Sequence, residues 1–133
     1  MRTVTPFDTS QHHIHTEFFV KDESGRHLRF DGVIDTGAPW TEFSDEFLAR
    51  AGLVELSDDE IPIKLELGTQ KYAKILLPSI TICGHTIDDF KVMVSRFDPA
   101  WGIAALIGLD FFRRFKVTID YGQGVLVCEP LSV

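Results

Sequence analysis

Most of this chain consists of short runs in which apolar and polar residues alternate, a pattern typical of β-strands with one buried face. Two such runs, residues 14–21 and 26–34, flank the polar segment 22–25, whose Asp, Glu, Ser and Gly favour a hairpin turn. The pattern therefore predicts a first β-hairpin whose second strand leads directly into Asp35.

The same alternation continues through the middle of the chain. Further strands are predicted at residues 61–67, 72–77, 78–82 and 90–95. The polar tip Gly68-Thr69-Gln70-Lys71 separates the first two of these strands and predicts a mobile hairpin loop, while Cys83-Gly84-His85 predicts a turn between the last two. The chain as a whole is therefore expected to be mostly β.

Helical spacing is confined to two short segments. Ser44 is a suitable N-terminal cap, and acids follow it in the first turn, where the helix dipole favours them. Gly52 is suited to the C-terminal end, so a helix of about two turns is predicted from Ser44. A second helix is predicted at Leu109–Phe115, where large apolar residues recur at helical spacing and Asp110, Arg113 and Arg114 can face outward.

Residues able to carry chemistry are concentrated in the stretch Val33–Ala38. Two apolar residues are followed by the carboxylate of Asp35, a hydroxyl and a glycine, which predicts a buried strand that delivers Asp35 into a tight turn. Taken alone, this stretch is also compatible with an ordinary strand end. A second apolar run, Ile103–Ile107, ends in the same way at Gly108.

The order and spacing of these motifs resemble the single-domain, retropepsin-like aspartic protease family, in which an Asp-Thr-Gly turn and a later apolar-apolar-Gly segment form the floor of the active site. The resemblance covers about residues 14–128, with Val117–Tyr121 as a third point of agreement. The Gly-Leu-Asp-Phe sequence at 108–111 is closer to bacterial and eukaryotic members than to viral enzymes. The resemblance implies a closed, barrel-like sheet with a flap hairpin and two short helices, in one domain spanning residues 1–133.

The resemblance also implies which residues form the active site of an aspartic endopeptidase. It implies catalytic roles for Asp35, Thr36 and Gly37, and roles in substrate binding and its supporting floor for Ala38, Gly68, Thr69, Gln70, Ile107 and Gly108. Of these, Gly68, Thr69 and Gln70 would belong to the flap that closes over a bound peptide. No metal or cofactor is implied.

Peptide hydrolysis by this route needs two carboxylates that share one proton. The chain has one Asp-Thr-Gly, and Ile119-Asp120-Tyr121-Gly122 lacks the hydroxyl and glycine of a second copy. A two-fold homodimer in which each subunit contributes its Asp35 is the simplest arrangement, and the resemblance implies that Thr36 bonds across the two-fold axis.

Two positions depart from the viral members of the family. Those enzymes have an acidic residue and an Arg, joined by a salt bridge, where this chain has Pro39 and Leu109. Because both charges are absent together, neither is left without its counter-ion. Pro39 has no N–H, which removes one donor to a peptide substrate. A non-cleaving dimerisation or peptide-binding module is therefore the alternative function.

Length, cysteine content and charge bear on the cellular compartment and on the classes of partner. The chain of 133 residues can bury a core without disulfides, and Cys83 and Cys128 are too far apart in sequence to suggest a disulfide framework, so a cytoplasmic protein is expected. A net charge of −7, with no basic cluster beyond Arg113-Arg114, argues against nucleic-acid binding. No stretch is long and apolar enough to predict a membrane partner or a leader sequence.

The N-terminal region leaves two questions open. Residues 1–11 are polar and contain Pro6, so they are expected to be a flexible arm or an edge strand that docks on a partner subunit. His12, His13 and His15 could bind a metal, but no Cys, Asp or Glu nearby completes a familiar ligand spacing, and exposed strand histidines are the simpler interpretation.

Overall fold

A computed structural model describes residues 1–54 and 70–131 of the chain. Its strands are β1 (Thr3–Pro6), β2 (His15–Lys21), β3 (His27–Ile34), β4 (Glu42–Ser44), β5 (Gln70–Ile82), β6 (His85–Arg96), β7 (Ala105–Ile107), β8 (Phe115–Asp120) and β9 (Val125–Pro130). Its helices are α1 (Asp45–Arg50) and α2 (Leu109–Phe112), with a 3₁₀ turn at Pro99–Trp101.

Six strands form a closed barrel in the order β2-β3-β7-β4-β6-β5, and β2 pairs with β5 to close it. Two neighbouring pairs in the barrel, β3 with β7 and β4 with β6, are parallel. Alternate residues of β2 point inward, and the rings of Phe18, Phe30 and Phe43 pack together with centroids 5.3–6.1 Å apart. The mostly β, closed-barrel prediction is confirmed.

The predicted turns of the β2–β3 and β5–β6 hairpins are present. In the β2–β3 turn, the Asp22 carboxylate accepts hydrogen bonds from the N–H groups of Ser24 at 3.0 Å and Arg26 at 2.9 Å. Cys83 and Gly84 form a two-residue turn between β5 and β6, with φ of 51° and 77°. A turn with both central residues at positive φ matches the right-handed twist of the two strands it joins.

The strand predictions for residues 72–77 and 78–82 need correction, because both runs belong to the single long strand β5. Pro78 has no N–H to donate to the sheet. β5 continues through Pro78 at a point where the neighbouring strand β6 is irregular. There Asp89 has a φ of 52°, and regular pairing resumes at Ser79 and Asp88. The predicted strand at 61–67 and the flap tip at 68–69 lie outside the described residues.

A separate three-stranded sheet, in the order β1-β9-β8, forms from the two ends of the chain. Thr3 pairs with Cys128 and Pro6 with Val125, so β1 runs antiparallel along β9 of its own chain. The expectation of a flexible or partner-docking arm at residues 1–11 is therefore wrong for Thr3–Pro6. Backbone hydrogen bonding to a strand more than a hundred residues away could not be read from the local polarity of this segment.

Both predicted helices are present, but their ends differ from those predicted. Ser44 precedes α1 but makes no side-chain cap, and its N–H instead donates to the Ala104 carbonyl at 2.7 Å. The second helix ends at Phe112 rather than Phe115, because Phe115 already pairs with Pro130 as the first residue of β8. No helix in residues 1–54 or 70–131 is both long and apolar enough to cross a membrane.

The described apolar residues form two clusters. The larger fills the barrel and the space beneath α2. The smaller consists of Val33, Phe97 and Ile103, with Leu106 packed against it. Val33 and Leu106 are register partners on β3 and β7, so this second cluster lies on the outer face of the barrel, next to the end of β3.

Candidate active site

The backbone of Asp35 is fixed by the strand next to it. Its N–H donates to the Ile107 carbonyl at 2.8 Å, which extends the parallel pairing of β3 and β7 by one residue. The Asp35 carboxylate accepts the Gly37 N–H at 3.1 Å, and the Asp35 carbonyl accepts the Ala38 N–H at 3.1 Å. The predicted tight turn is present, with Asp35 half-buried and Thr36 and Gly37 exposed.

The second apolar-Gly segment lies directly against this turn. A Cβ atom placed on Gly108 would come within 2.7 Å of the Trp40 carbonyl carbon and 2.8 Å of the Ala38 oxygen. Just beyond it, the Leu109 N–H donates to the Ala38 carbonyl at 2.8 Å. Position 108 therefore has no room for a side chain, and glycine permits the backbone of the Asp35 loop to close onto the β7–α2 junction.

Thr41 and Asp110 join the two segments a second time. The hydroxyl of Thr41, which is fully buried, donates to Asp110 Oδ1 at 2.6 Å, and its N–H donates to Oδ2 at 3.0 Å. The same hydroxyl accepts the Gly108 N–H at 3.1 Å. Three hydrogen bonds thus tie the end of the Asp35 loop to the first turn of α2, and the prediction that Asp110 faces outward is wrong.

The positions that depart from the viral pattern sit beside this link. Pro39 is exposed and Leu109 half-buried, and the Pro39 carbonyl accepts the Asp110 N–H at 3.2 Å. The bonds between Thr41 and Asp110 therefore form a polar link between the two segments. Thr41 lies two residues after Pro39, and Asp110 lies one residue after Leu109. The sequence contained a signal for it, since the acid of the Gly-Leu-Asp-Phe motif follows directly after Leu109.

A cavity of about 630 Å³ opens next to Asp35. Its lining residues are Gln11, His13, His15, Val33, Ile34, Asp35, Trp101, Ile103 and Leu106. The apolar part of the wall is the smaller hydrophobic cluster, and the carboxylate-bearing turn forms its edge. Such a volume lies within the range of about 300–1,000 Å³ that is usual for ligand sites.

Trp101 forms one wall of this cavity and is 41% exposed. The Asp98 carboxylate accepts the Ala100 N–H at 2.9 Å at the start of the 3₁₀ turn, and Gly102 ends that turn with a φ of 64°. The Trp101 ring lies 5.5 Å from the ring of Phe97, which is buried. Phe97 is therefore part of the smaller hydrophobic cluster, whereas Trp101 lines the cavity.

Two of the three N-terminal histidines line the same cavity. His13 is exposed and His15 half-buried. His15 is also close enough to Asp8 to contribute to the lowered pKa of that carboxyl, whose main cause is a hydrogen bond from the Ser10 hydroxyl. Within residues 1–54 and 70–131, no group of three or more His, Cys, Asp or Glu side chains could hold a metal ion.

The structure brings most of the predicted site residues together. Asp35, Thr36, Gly37, Ala38, Ile107 and Gly108 lie around one turn. The Ile107 side chain points into the barrel core, so it supports the floor, and Leu106 is the β7 side chain that lines the cavity. Gly68 and Thr69 lie outside the described residues, and Gln70 begins β5, paired with Arg96.

Comparisons with known proteins agree with this geometry. A family model described as "gag-polyprotein putative aspartyl protease" matches residues 24–114. The fold is similar to that of a retropepsin-like aspartic protease from Rickettsia conorii, with a TM-score of 0.64 and 22% identity, over 96% of this chain and 89% of that one. It is also similar to the retroviral protease-like domain of Ddi1 from Leishmania major, with a TM-score of 0.58 and 18% identity, over 90% of this chain and 94% of that domain. No curated protein matches the chain significantly.

Proposed function

Because this chain belongs to the retropepsin-like aspartic protease family, we propose that it is an aspartic endopeptidase that cleaves a peptide or protein substrate as a homodimer. The observation that carries the proposal is the position of Asp35, which is half-buried, fixed by the Ile107 carbonyl and the Gly37 N–H, and at the edge of a cavity of about 630 Å³. A carboxylate held in this way at the mouth of a cavity is suited to act on a bound substrate.

The chemistry requires a second carboxylate on the opposite side of the scissile bond. One carboxylate takes a proton from a water molecule as the water oxygen attacks the carbonyl carbon, and the protonated partner donates to the carbonyl oxygen. The proton first taken from water then passes to the leaving amine as the C–N bond breaks. As the carbonyl of the new carboxylic acid re-forms, a hydroxyl of the tetrahedral intermediate returns its proton to the partner carboxylate, so both carboxyl groups return to their starting state.

In this proposal the second carboxylate comes from another subunit. Asp120, in the other Asp-containing segment that resembles the motif, lies at the β8–β9 turn and accepts the Gln123 N–H at 2.9 Å, so it belongs to a different part of the fold. Thr36 and Gly37 are exposed in the single chain, which leaves the tip of the Asp35 turn open to contact its copy. A two-fold axis through this tip would bring two Asp35 side chains together.

The cavity supports a peptide as the substrate. Its wall is apolar at Val33, Ile103 and Leu106, which suits a substrate side chain, and polar at His13 and His15, which can bond to a peptide backbone. In the same proposal the flap residues Gly68, Thr69 and Gln70 close over the bound peptide. The free thiols of Cys83 and Cys128 favour a reducing compartment such as the cytoplasm.

A peptide-library assay across acidic to neutral pH tests the proposal. We expect the wild type to cleave and Asp35→Asn to be inactive while remaining folded. Asp120→Asn is the matched control, since it makes the same chemical change at a turn outside the site and should cleave like the wild type. No cleavage by the wild type at any pH, or normal cleavage by Asp35→Asn, would contradict the proposed activity.

A non-cleaving, peptide-binding or dimerisation module is the second candidate. It is favoured by Pro39, which cannot donate a backbone hydrogen bond to a peptide beside Asp35. Binding of library peptides with equal affinity to the wild type and Asp35→Asn, without cleavage by either, would support this function and exclude the first.

A further inference from the structure

Both cysteines of the chain are buried in the same hydrophobic cluster, although they come from different sheets. Cys83 is 4% exposed at the tip of the β5–β6 hairpin of the barrel, and Cys128 is fully buried in the middle of β9. Both thiols are free. Nothing in the proposed proteolytic mechanism uses either of them.

The turn that contains Cys83 packs against β9, the strand that carries Cys128, through backbone and side-chain contacts. The Cys128 carbonyl lies 3.4 Å from His85 Nε2 and accepts the Thr3 hydroxyl, also at 3.4 Å. A Cβ atom on Gly84 would meet the Thr3 side chain at 3.0 Å. The residues immediately after Cys83 therefore touch the Thr3–Cys128 rung of the terminal sheet.

Cys83 is an unexpected residue for the backbone position it occupies. Its φ of 51° lies in the left-handed region, and the first central position of such a hairpin turn favours Asn, Asp or Gly. A residue held in a conformation that its type rarely adopts points to a role for its side chain. The only chemically distinctive group that this residue brings to the turn is its thiol.

The two thiols interact directly. A hydrogen bond from the Cys83 thiol lowers the pKa of Cys128, and the same interaction, followed by burial, raises the pKa of Cys83. One thiol is thereby favoured as the thiolate nucleophile and the other stays protonated beside it.

We propose that Cys83 and Cys128 are a redox site that forms an intramolecular disulfide when the protein meets a peroxide. The Cys128 thiolate attacks one peroxide oxygen, the O–O bond breaks, and hydroxide leaves as a sulfenic acid forms. The Cys83 sulfur then attacks the Cys128 sulfur, its proton is released, and the sulfenic oxygen leaves as water. Two electrons pass from the thiol pair to hydrogen peroxide, which is reduced to two molecules of water.

The disulfide would join the barrel covalently to the sheet formed by the two chain ends. Cross-linking two distant parts of a chain stabilises the fold by restricting the unfolded state. Because Cys128 pairs with Thr3 on β1, the cross-link would also hold the N-terminal strand in place. This inference does not depend on proteolytic activity.

The test uses the reduced wild-type protein, treated with hydrogen peroxide in its folded state and then alkylated with iodoacetamide in denaturant. We expect an intact mass lower by two hydrogen atoms, no uptake of the alkylating group, and full reversal by dithiothreitol. A digest should contain one linked peptide pair spanning residues 83 and 128. The melting temperature of the oxidised protein should rise by roughly 5 °C or more.

Cys83→Ser and Cys128→Ser are the matched controls, and neither should lose the two hydrogens or gain stability on oxidation. The mass measurement on the wild type stands even if a variant fails to fold. Alkylation of both thiols after peroxide treatment, oxidation of one thiol to a sulfinic acid without a link, or a disulfide between two chains would each overturn the proposal.

Discussion

The carboxylate of Asp110 holds Thr41 by both of its oxygens, with the hydroxyl at 2.6 Å and the N–H at 3.0 Å. The two residues belong to segments far apart in the chain, and the bonds between them lie beside the turn that carries Asp35. In a chain without the viral acid–Arg pair, this contact fixes the Asp35 loop against the first turn of α2. The loop is therefore anchored by a neutral hydroxyl and one carboxylate rather than by two opposite charges.

Loss of this link should displace the Asp35 turn. Thr41→Val removes the hydroxyl and leaves the Gly108 N–H and Asp110 Oδ1 without their partner, at a cost of about 1–3 kcal/mol in unfolding free energy. We expect kcat/KM to fall by about ten- to a hundredfold, mainly in kcat, because the carboxylate is misplaced. Steady-state kinetics and urea unfolding measure both quantities.

Thr41→Ser is the matched variant because it keeps the hydroxyl, and it should recover most of the activity. Asp110→Ala should resemble Thr41→Val, whereas Asp88→Ala, an exposed acid on β6, should leave activity and stability close to the wild type. Equal kcat in Thr41→Val, Thr41→Ser and the wild type would show that the link does not position Asp35.

Gly108→Ala should damage the site through sterics alone. The added methyl group would lie 2.7–2.8 Å from backbone atoms of Ala38 and Trp40, which cannot rotate away. We expect a loss of about 1–3 kcal/mol in unfolding free energy together with loss of cleavage. In Gly122→Ala the nearest atom would be a carboxylate oxygen at 3.4 Å, so this control should unfold within about 0.5 kcal/mol of the wild type.

Trp101 should report whether a peptide occupies the cavity. The chain has two tryptophans, so Trp40→Phe leaves Trp101 as the single fluorophore. In an Asp35→Asn background, which prevents turnover, binding of a substrate peptide should shift the emission of Trp101 because its exposed face becomes covered. The complementary variant Trp101→Phe retains Trp40, which is outside the cavity lining, and should show little response. An unchanged Trp101 signal under saturating peptide would place the substrate elsewhere.

The pH profile of kcat/KM should be bell-shaped, with its maximum on the acid side of neutrality. Two Asp35 carboxylates on a two-fold axis cannot both ionise cheaply, and catalysis needs the singly protonated pair. Cleavage is therefore lost at low pH, where both are protonated, and at high pH, where both are charged. A profile that is flat from acidic to neutral pH would be incompatible with a shared proton.

Activity per subunit should fall on dilution as dimers dissociate, since a single chain supplies one of the two carboxylates. Sedimentation at the same concentrations gives the fraction of dimer against which activity is plotted. Asp35→Asn should still dimerise, because it removes charge repulsion and leaves Thr36 able to bond across the axis. A chain that cleaves while monomeric would exclude the shared site.

The sequence predicted the features that local patterns determine. Alternation indicated β2 and β3, and the Asp35 turn and Gly108 were recognisable from residue types alone. The missed features depend on contacts between distant segments. Thr41 bonds to Asp110, Thr3 pairs with Cys128, and Phe115 pairs with β9 instead of extending α2. The position of Trp101 also depends on packing, because Phe97 is buried in the same loop while Trp101 is left partly exposed.

The parallel pairing of β3 with β7 has a consequence for the newly made protein. Asp35 leaves the ribosome well before Ile107, the residue whose carbonyl holds its N–H. A nascent chain that has not yet reached Ile107 and Gly108 therefore presents its aspartate on a strand that can pair with β2 but lacks β7 and the floor beneath the turn. The order of translation alone delays assembly of the site until nearly the whole domain has been synthesised.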